Sequence, residues 1–249
     1  MSALKQRSDS APRMAMVLAA GLGTRMRPLT DDRPKALVDV AGRTLIDHML
    51  DRLAQAGART AVVNVHHFAD RLTGHLAART GPPRIVVSDE RGMLMETGGG
   101  LKQARPLLGD EPVWAANIDS VWIEGPTPAL PALARAWDPE RMDACLLLAP
   151  MDRILGFDGP GDFFLEPDGR LRHRGGEPRA PYAYIGVQII KPQTVDDGPD
   201  GPFSLFSTWT KLIAAGRLYG VVMDGFWMHV GDPQARDAAE ARLLSDASA

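Results

Sequence analysis

Residues 18–35, LAAGLGTRMRPLTDDRPK, hold the densest chemistry in this chain. An apolar run, Met14–Leu18, empties into a glycine turn at Gly21 and Gly23, and Thr24 and Arg25 follow at once. Lys35 stands ten residues after Arg25, directly behind Pro34. Glycines without a Cβ let backbone N–H groups approach an anion closely, and a helical turn after them would add its dipole. Arg25 and Lys35 bring two cations towards one place, as a polyphosphate requires. A Walker loop is excluded, because no Gly-Lys-Ser/Thr triplet occurs. The dinucleotide fingerprint is excluded as well, because Met26 stands where its third glycine belongs. An ordinary strand-to-helix turn would explain a bare Gly-x-Gly, but the attached Thr-Arg and the later Pro-Lys favour a triphosphate loop.

Further constellations follow. Glu96-Thr97-Gly98-Gly99-Gly100 opens a helical pattern, and three successive glycines either admit something flat or anionic or serve as a hinge. Asp119 ends the apolar run Val113–Ile118. Ligands of open α/β sheets bind at the carboxyl ends of strands, where a carboxylate can hold Mg²⁺ between phosphate oxygens. On spacing alone, a turn-forming Asp is an equal reading. Gly161-Asp162-Phe163 reads as a turn by composition, and His229 in Trp227-Met228-His229-Val230-Gly231 reads either as a ligand or as a ring packed beside Trp227. His66 and His67 read as loop residues.

Short apolar runs alternating with helical patterns must position these groups, which is the signature of a parallel α/β sheet. Strands are predicted at Ala15–Ala19, Ala61–Val65, Arg84–Ser88, Val113–Ile118 and Ala144–Leu148. Thr44 caps a helix whose Leu45, Ile46, Met49, Leu50 and Leu53 share one face and which Gly57 ends. Further helices are predicted over Gly98–Leu108 and Thr127–Trp137. Residues 151–181 are rich in Gly, Pro and charge, with a Pro-Asp-Gly turn at 167–169, and predict a β-hairpin lobe. The strand Tyr182–Lys191, the helix Phe203–Ala215, the strand Leu218–Met223 and a last helix opened by Asp232-Pro233 complete the pattern.

Composition narrows the function classes. The 249 residues, 45% hydrophobic and 24% charged, are those of an ordinary globular chain, read as a single domain over 13–249 behind a disordered tail at 1–12. A net charge of −3 argues against a nucleic-acid surface. The single cysteine, Cys145, excludes an internal disulfide and a multi-cysteine metal site. No apolar stretch is long enough for a bilayer, and the N-terminus lacks the apolar centre of a signal peptide, so a cytoplasmic protein without membrane partners is expected. Oligomeric state leaves no signature.

Along nearly its whole length the chain resembles the sugar-1-phosphate nucleotidyltransferases. The resemblance implies a Rossmann-like, mostly parallel sheet flanked by helices, with the 151–181 segment as a small β-rich insertion over the sugar site. It implies that Leu18, Ala19, Ala20, Gly21, Gly23, Thr24 and Arg25 line the nucleotide, and that Arg25, Lys35 and Asp119 carry catalysis. The ETGGG run is similar to the base-recognition loop of the N-acetylmuramate-1-phosphate uridylyltransferase branch, with Glu96, Gly98 and Gly99 at the base. Asn117, Asp162 and Gly186 would meet the sugar, and Asp119 and His229 the metal.

Two positions depart from the family pattern. Asn-Gly-Asp is here Asn117-Ile118-Asp119, and the second metal-binding Asp is here His229. Imidazole is a poor ligand for Mg²⁺ and a better one for Mn²⁺, so either ion is an expected cofactor. The expected partners are a nucleoside triphosphate, UTP by the ETGGG run, and a sugar 1-phosphate, N-acetylmuramate 1-phosphate by the same branch. The products would be a nucleotide sugar and pyrophosphate, in cell-wall sugar recycling. Two other readings stand beside this one. One is a cytidylyl- or guanylyltransferase acting on a heptose phosphate or phosphocholine; the other is a nucleotide-sugar-binding regulatory protein without activity.

Overall fold

The computed structural model describes residues 11–246. Most of the expected N-terminal tail, residues 1–10, lies outside them, whereas Pro12 is buried and its carbonyl accepts from Trp114 Nε1 at 2.9 Å.

The first half of the chain alternates strand and helix. It runs through β1 (Met14–Leu18), a short β2–β3 pair (Asp39–Val40 and Arg43–Thr44), α1 (Leu45–Gln55), β4 (Thr60–Val65), α2 (Ala69–Ala78) and β5 (Arg84–Asp89). Then come α3 (Glu96–Gln103), α4 (Arg105–Leu108), β6 (Val113–Asn117), β7 (Ser120–Ile123), α5 (Ala129–Ala136) and β8 (Ala144–Pro150). Thr44 caps α1 by accepting the Asp47 N–H, and Gly57, at φ 98°, turns the chain out of it. The predicted helix over 98–108 breaks at Ala104, because Pro106 has no N–H to continue the ladder and its ring crowds the preceding turn. Helix α2 was not anticipated: only Ala69, Leu72 and Leu76 mark its buried face, interrupted by Gly74 and His75.

The second half is β-rich. It holds β9 (Ile154–Leu155), β10 (Phe163–Leu165), β11 (Leu171–His173), β12 (Tyr182–Ile190), α6 (Leu205–Ala214), β13 (Leu218–Val222), β14 (Phe226–His229) and α7 (Pro233–Asp246). The main sheet contains nine strands. Strands β5, β4, β1 and β6 lie side by side and parallel, which buries both faces of β1 and β4 and accounts for their continuous apolar sequence. Strand β12 then runs antiparallel to β6 and β8, and β13 joins β8 in parallel. The hairpin predicted in the insertion is β10–β11, closed by Gly169 at φ 88°, and it extends the sheet from the start of β12. A second sheet, β7–β14–β9, has no counterpart in the predicted elements.

Alternate side chains of β1 seed two cores. Ala15 and Val17 pack with Leu45, Met49 and Leu53 of α1, while Met16 packs with Leu101, Leu205 and Trp209 on the other face. Helices thus cover both faces, and the carboxyl ends of β1 and β6 stay open side by side, Leu18 against Asn117.

Candidate active site

At those strand ends lies a cleft of about 380 Å³ lined by Leu18, Ala19, Ala20 and Gly21, by Asn117, Ile118 and Asp119, and by Lys35, Asn64, Leu94, Glu96, Thr97 and Ser204. The segment after β1 supplies one wall. The N–H groups of Gly21, Leu22 and Gly23 meet no protein acceptor among the described residues. Three consecutive free donors make an anion nest. Gly21 faces open space, so a phosphate can approach its backbone, whereas Gly23 has a different task. At φ 64°, a Cβ on it would stand 3.1 Å from Lys35 Cβ and 3.1 Å from Thr30 Cγ2. Gly23 therefore packs against the stem of the lysine. The loop is followed by a single 3₁₀ turn, Thr24–Met26, and not by the helix whose dipole the sequence suggested. The free N–H groups must do that work. Thr24 and Arg25 are exposed, and Arg25 has no ion-pair partner among the described residues.

Ala19 and Ala20 line the cleft, but their N–H groups are spent. Both are donated to Asn64 Oδ1, at 2.6 and 3.2 Å.

Lys35, Asp119 and His229 meet at the floor. Lys35 Nζ stands 2.8 Å from Asp119 Oδ2, and His229 Nε2 stands 3.4 Å from the same oxygen. These three residues come from a 3₁₀ turn, the turn between β6 and β7, and the end of β14. The β7–β14 ladder brings them together: it sets His229 opposite Ser120, and the Val230 N–H donates to the Asp119 carbonyl at 2.9 Å. Burial alone would raise the Asp119 carboxyl, but the Lys35 ammonium, joined by His229 when its ring is protonated, holds it well below the usual carboxylate range.

Is this a metal site? Asp119 Oδ1 has no protein partner among the described residues. His229 Nδ1 lies 3.1 Å from the Gly156 carbonyl, which can only accept, so Nδ1 carries the proton. In the neutral ring Nε2 then turns its lone pair towards Asp119, the arrangement found in metal-ligating histidines. A Cβ on Gly231 would come within 2.8 Å of His229 Cε1, so that glycine makes room for the ring. Among the described residues no third His, Cys, Asp or Glu completes a ligand set, so the residues fit an ion that phosphate oxygens also hold.

The ETGGG run is divided between the cleft and the packing of the chain. Only Glu96 and Thr97 line the cleft. The N–H groups of Gly98 and Gly99 both donate to the Phe203 carbonyl, at 2.8 and 3.0 Å. A Cβ on Gly98 would strike the Phe203 ring, and one on Gly99 would stand 2.6 Å from the Gly201 carbonyl oxygen. These glycines admit the 201–203 segment at close range. Leu205 N–H donates to Thr97 Oγ1 at 2.9 Å, and Phe203 N–H to the Met95 carbonyl at 3.2 Å, so the loop is stitched to the start of α6. Glu96 is held at φ 59°, a left-handed conformation that costs a non-glycine residue on the order of 1–2 kcal/mol.

Of the residues expected at the sugar, Asn117 lines the cleft, and Ile118 beside it is 5% exposed. Gly186 does not leave an empty space. At φ 85° it is filled by Asn117, whose Cβ and Nδ2 would each lie 3.0 Å from a Cβ there. Asp162 does not line the cleft: its Oδ2 accepts the Tyr184 N–H at 2.9 Å and fastens the insertion to β12. Burial pushes its carboxyl up, opposed by that hydrogen bond.

The sequence reading overlooked Asn64 and Glu90. Asn64, 2% exposed, interrupts the fully buried β4, and Glu90, 1% exposed, follows β5. A polar residue inside a continuous apolar strand was the available signal.

Residues 15–157 match the MobA-like NTP transferase domain. A protein of Caulobacter vibrioides named N-acetylmuramate alpha-1-phosphate uridylyltransferase is 61% identical over 238 residues, 94% of this chain and 98% of that protein. A protein of the same name from Neisseria meningitidis serogroup B is 34% identical, covering 87% of this chain and 92% of its own. Among solved structures, the inositol-1-phosphate CTP transferase from T. maritima superposes with a TM-score of 0.76 at 19% identity, over 94% of this chain and 96% of that one. A UDP-glucose pyrophosphorylase complexed with UDP-glucose also gives 0.76, at 14% identity, over 94% of this chain and 99% of that one. At such identities these two speak for the fold alone. The chain therefore belongs to the MobA-like NTP transferase family, among its sugar-1-phosphate nucleotidyltransferases.

Proposed function

We propose that this protein transfers the uridylyl group of UTP to N-acetylmuramate α-1-phosphate. The observation that carries the chemistry is the meeting of Lys35, Asp119 and His229 beside the free N–H groups of Gly21–Gly23. The named activity of the Caulobacter relative supports the choice of substrates. A phosphate oxygen of the sugar phosphate attacks the α-phosphorus, the bond from that phosphorus to the bridging oxygen breaks, and pyrophosphate leaves. No protein nucleophile is needed, so positioning and charge neutralisation do the catalysis. Lys35 faces the reacting phosphate, Gly21–Gly23 and Arg25 hold the outer phosphates, and Leu94, Glu96 and Thr97 take the base. Asn117 faces the sugar phosphate, and Ile118 narrows its approach. Asp119 and His229 would hold Mg²⁺ or Mn²⁺, which would supply positive charge to offset that of the phosphates. Consumption of a nucleoside triphosphate supports a cytoplasmic location.

The deciding experiment is pyrophosphate release from each of the four triphosphates against N-acetylmuramate, glucose, mannose and heptose phosphates. Fastest release with UTP and N-acetylmuramate α-1-phosphate is expected. A preference for cytidine or guanosine triphosphate would remove the uridylyl assignment and leave the family standing. No release with any pair would favour a binding protein. The metal assignment is tested by calorimetric titration with Mg²⁺ and Mn²⁺: His229→Asp should tighten Mg²⁺ relative to Mn²⁺, and an unchanged ratio would make His229 a packing residue.

A further inference from the structure

Two loops that face the cleft come from different strands, yet one buried chain of hydrogen bonds joins them. Asn64 Oδ1 accepts from Ala19 and Ala20, its Nδ2 donates to Glu90 Oε1 at 2.8 Å, and Glu90 Oε2 accepts the Met95 N–H at 3.2 Å. The orientation of the Asn64 amide is imposed. Backbone N–H groups can only donate, so Oδ1 must face them and Nδ2 must face Glu90. No cation pairs with Glu90 among the described residues, so its oxygens depend on these two donors. A buried acceptor left empty is costly, and the chain therefore holds as a whole or not at all. Gly100 supplies the space: a Cβ there would lie 2.9 Å from Glu90 Oε1 and 3.0 Å from Asn64 Nδ2. The last glycine of ETGGG thus serves this pair.

We propose that Glu90 is a positioning residue of the triphosphate site, which through Asn64 and the Met95 N–H locks the 19–21 loop to the 95–97 loop so that both order as one unit. By engaging the Ala19 and Ala20 donors, the tie leaves the Gly21–Gly23 donors for the phosphates while holding Glu96 and Thr97 at a set distance from them. The proposal deepens the functional reading above and rests on it for the identity of the ligand. Glu90 lies behind Asn64, outside the cleft lining, and touches no substrate.

A swap of the two side chains tests it. Glu90→Gln turns an amide N–H against one of its two donors, and Asn64→Asp sets two carboxylates face to face. The double variant restores every hydrogen bond, with Asp accepting from Ala19, Ala20 and the new glutamine, and the glutamine oxygen accepting from Met95. Amide hydrogen exchange in the unliganded protein reads the tie directly. Glu90→Gln should speed exchange at Ala19 and Ala20, on the far side of Asn64, by about tenfold or more, and the double variant should return it. With UTP, each single variant should raise KM about tenfold while kcat changes less, and the double variant should recover.

Acceleration confined to Met95, or a double variant no better than the sum of the singles, overturns the proposal. If a single variant does not fold, Gly100→Ala decides, since it crowds the pair without removing a group. Faster exchange in both loops supports the tie, and faster exchange in neither loop sinks it. If the wild type does not use UTP, the functional reading fails, and the exchange arm still judges the tie.

Discussion

The two sides of the cleft use their conspicuous residues in opposite ways. On the nucleotide side, the motif that stands out in the sequence also stands at the surface of the site: Gly21 is open, the Gly21–Gly23 donors are free, and Lys35 reaches Asp119. On the sugar side, the residues that stand out are consumed inside the fold. Asp162 holds the Tyr184 backbone, and Gly186 accommodates Asn117. The difference agrees with what the proposed function asks each side to bind. A triphosphate is recognised by charge and backbone donors, which a short contiguous loop can supply. A sugar is recognised by shape, which comes from walls assembled out of distant segments.

The largest effect that would break this contrast is expected at Asp119. Asp119→Ala should lower kcat for pyrophosphate release by about 10³-fold, with the melting temperature showing that the fold survives. Activity near that of the wild type would remove the floor of the site from the mechanism. Lys35→Ala comes next, at about 10²-fold in kcat, and should also leave the Asp119 carboxylate without its closest cation. An Asp119 titration unmoved by that substitution, followed by NMR, would show that the ion pair is not the one described.

On the other side the sign is reversed. Asp162→Ala should cost about 1–3 kcal/mol in chemical denaturation, because the buried Tyr184 N–H loses its acceptor, while KM for the triphosphate stays put. A rise in KM for the sugar phosphate without loss of stability would return Asp162 to substrate contact. The smallest effect on stability belongs to Arg25→Ala. This exposed side chain, unpaired among the described residues, should change denaturation by no more than about 0.5 kcal/mol, yet raise KM for the triphosphate several-fold. An unaltered KM would take Arg25 out of the site.

Reading the apolar patterns alone recovers β1, β4, β6, β8 and the capped α1, because burial on both faces or on one helical face writes itself as a local run of apolar residues. It recovers the edge strand β5 through its half-buried Ile85–Val87 run. The same reading missed α2, whose apolar face is short, and the β7–β14 ladder, whose strands are four residues each and lie about a hundred positions apart. Nor does it show that the N–H groups of Gly98 and Gly99 are taken by the Phe203 carbonyl. A glycine signals that something approaches closely, but whether that partner is a base or the Phe203 carbonyl is decided by a segment more than a hundred residues later.

The parallel sheet and the glycine loop are legible in the residues alone, as are Arg25, Lys35 and Asp119 as candidates to face phosphates. These depend on residue type and short spacing, which the chain carries along its length. Only the tertiary structure decided that His229 stands 3.4 Å from Asp119, that Asn64 and Glu90 bind two loops into one wall, and that Asp162 and Gly186 are occupied with neighbours. Each of these is a contact between segments distant in sequence. Packing brings them together, and the need to satisfy buried polar groups selects which atoms meet.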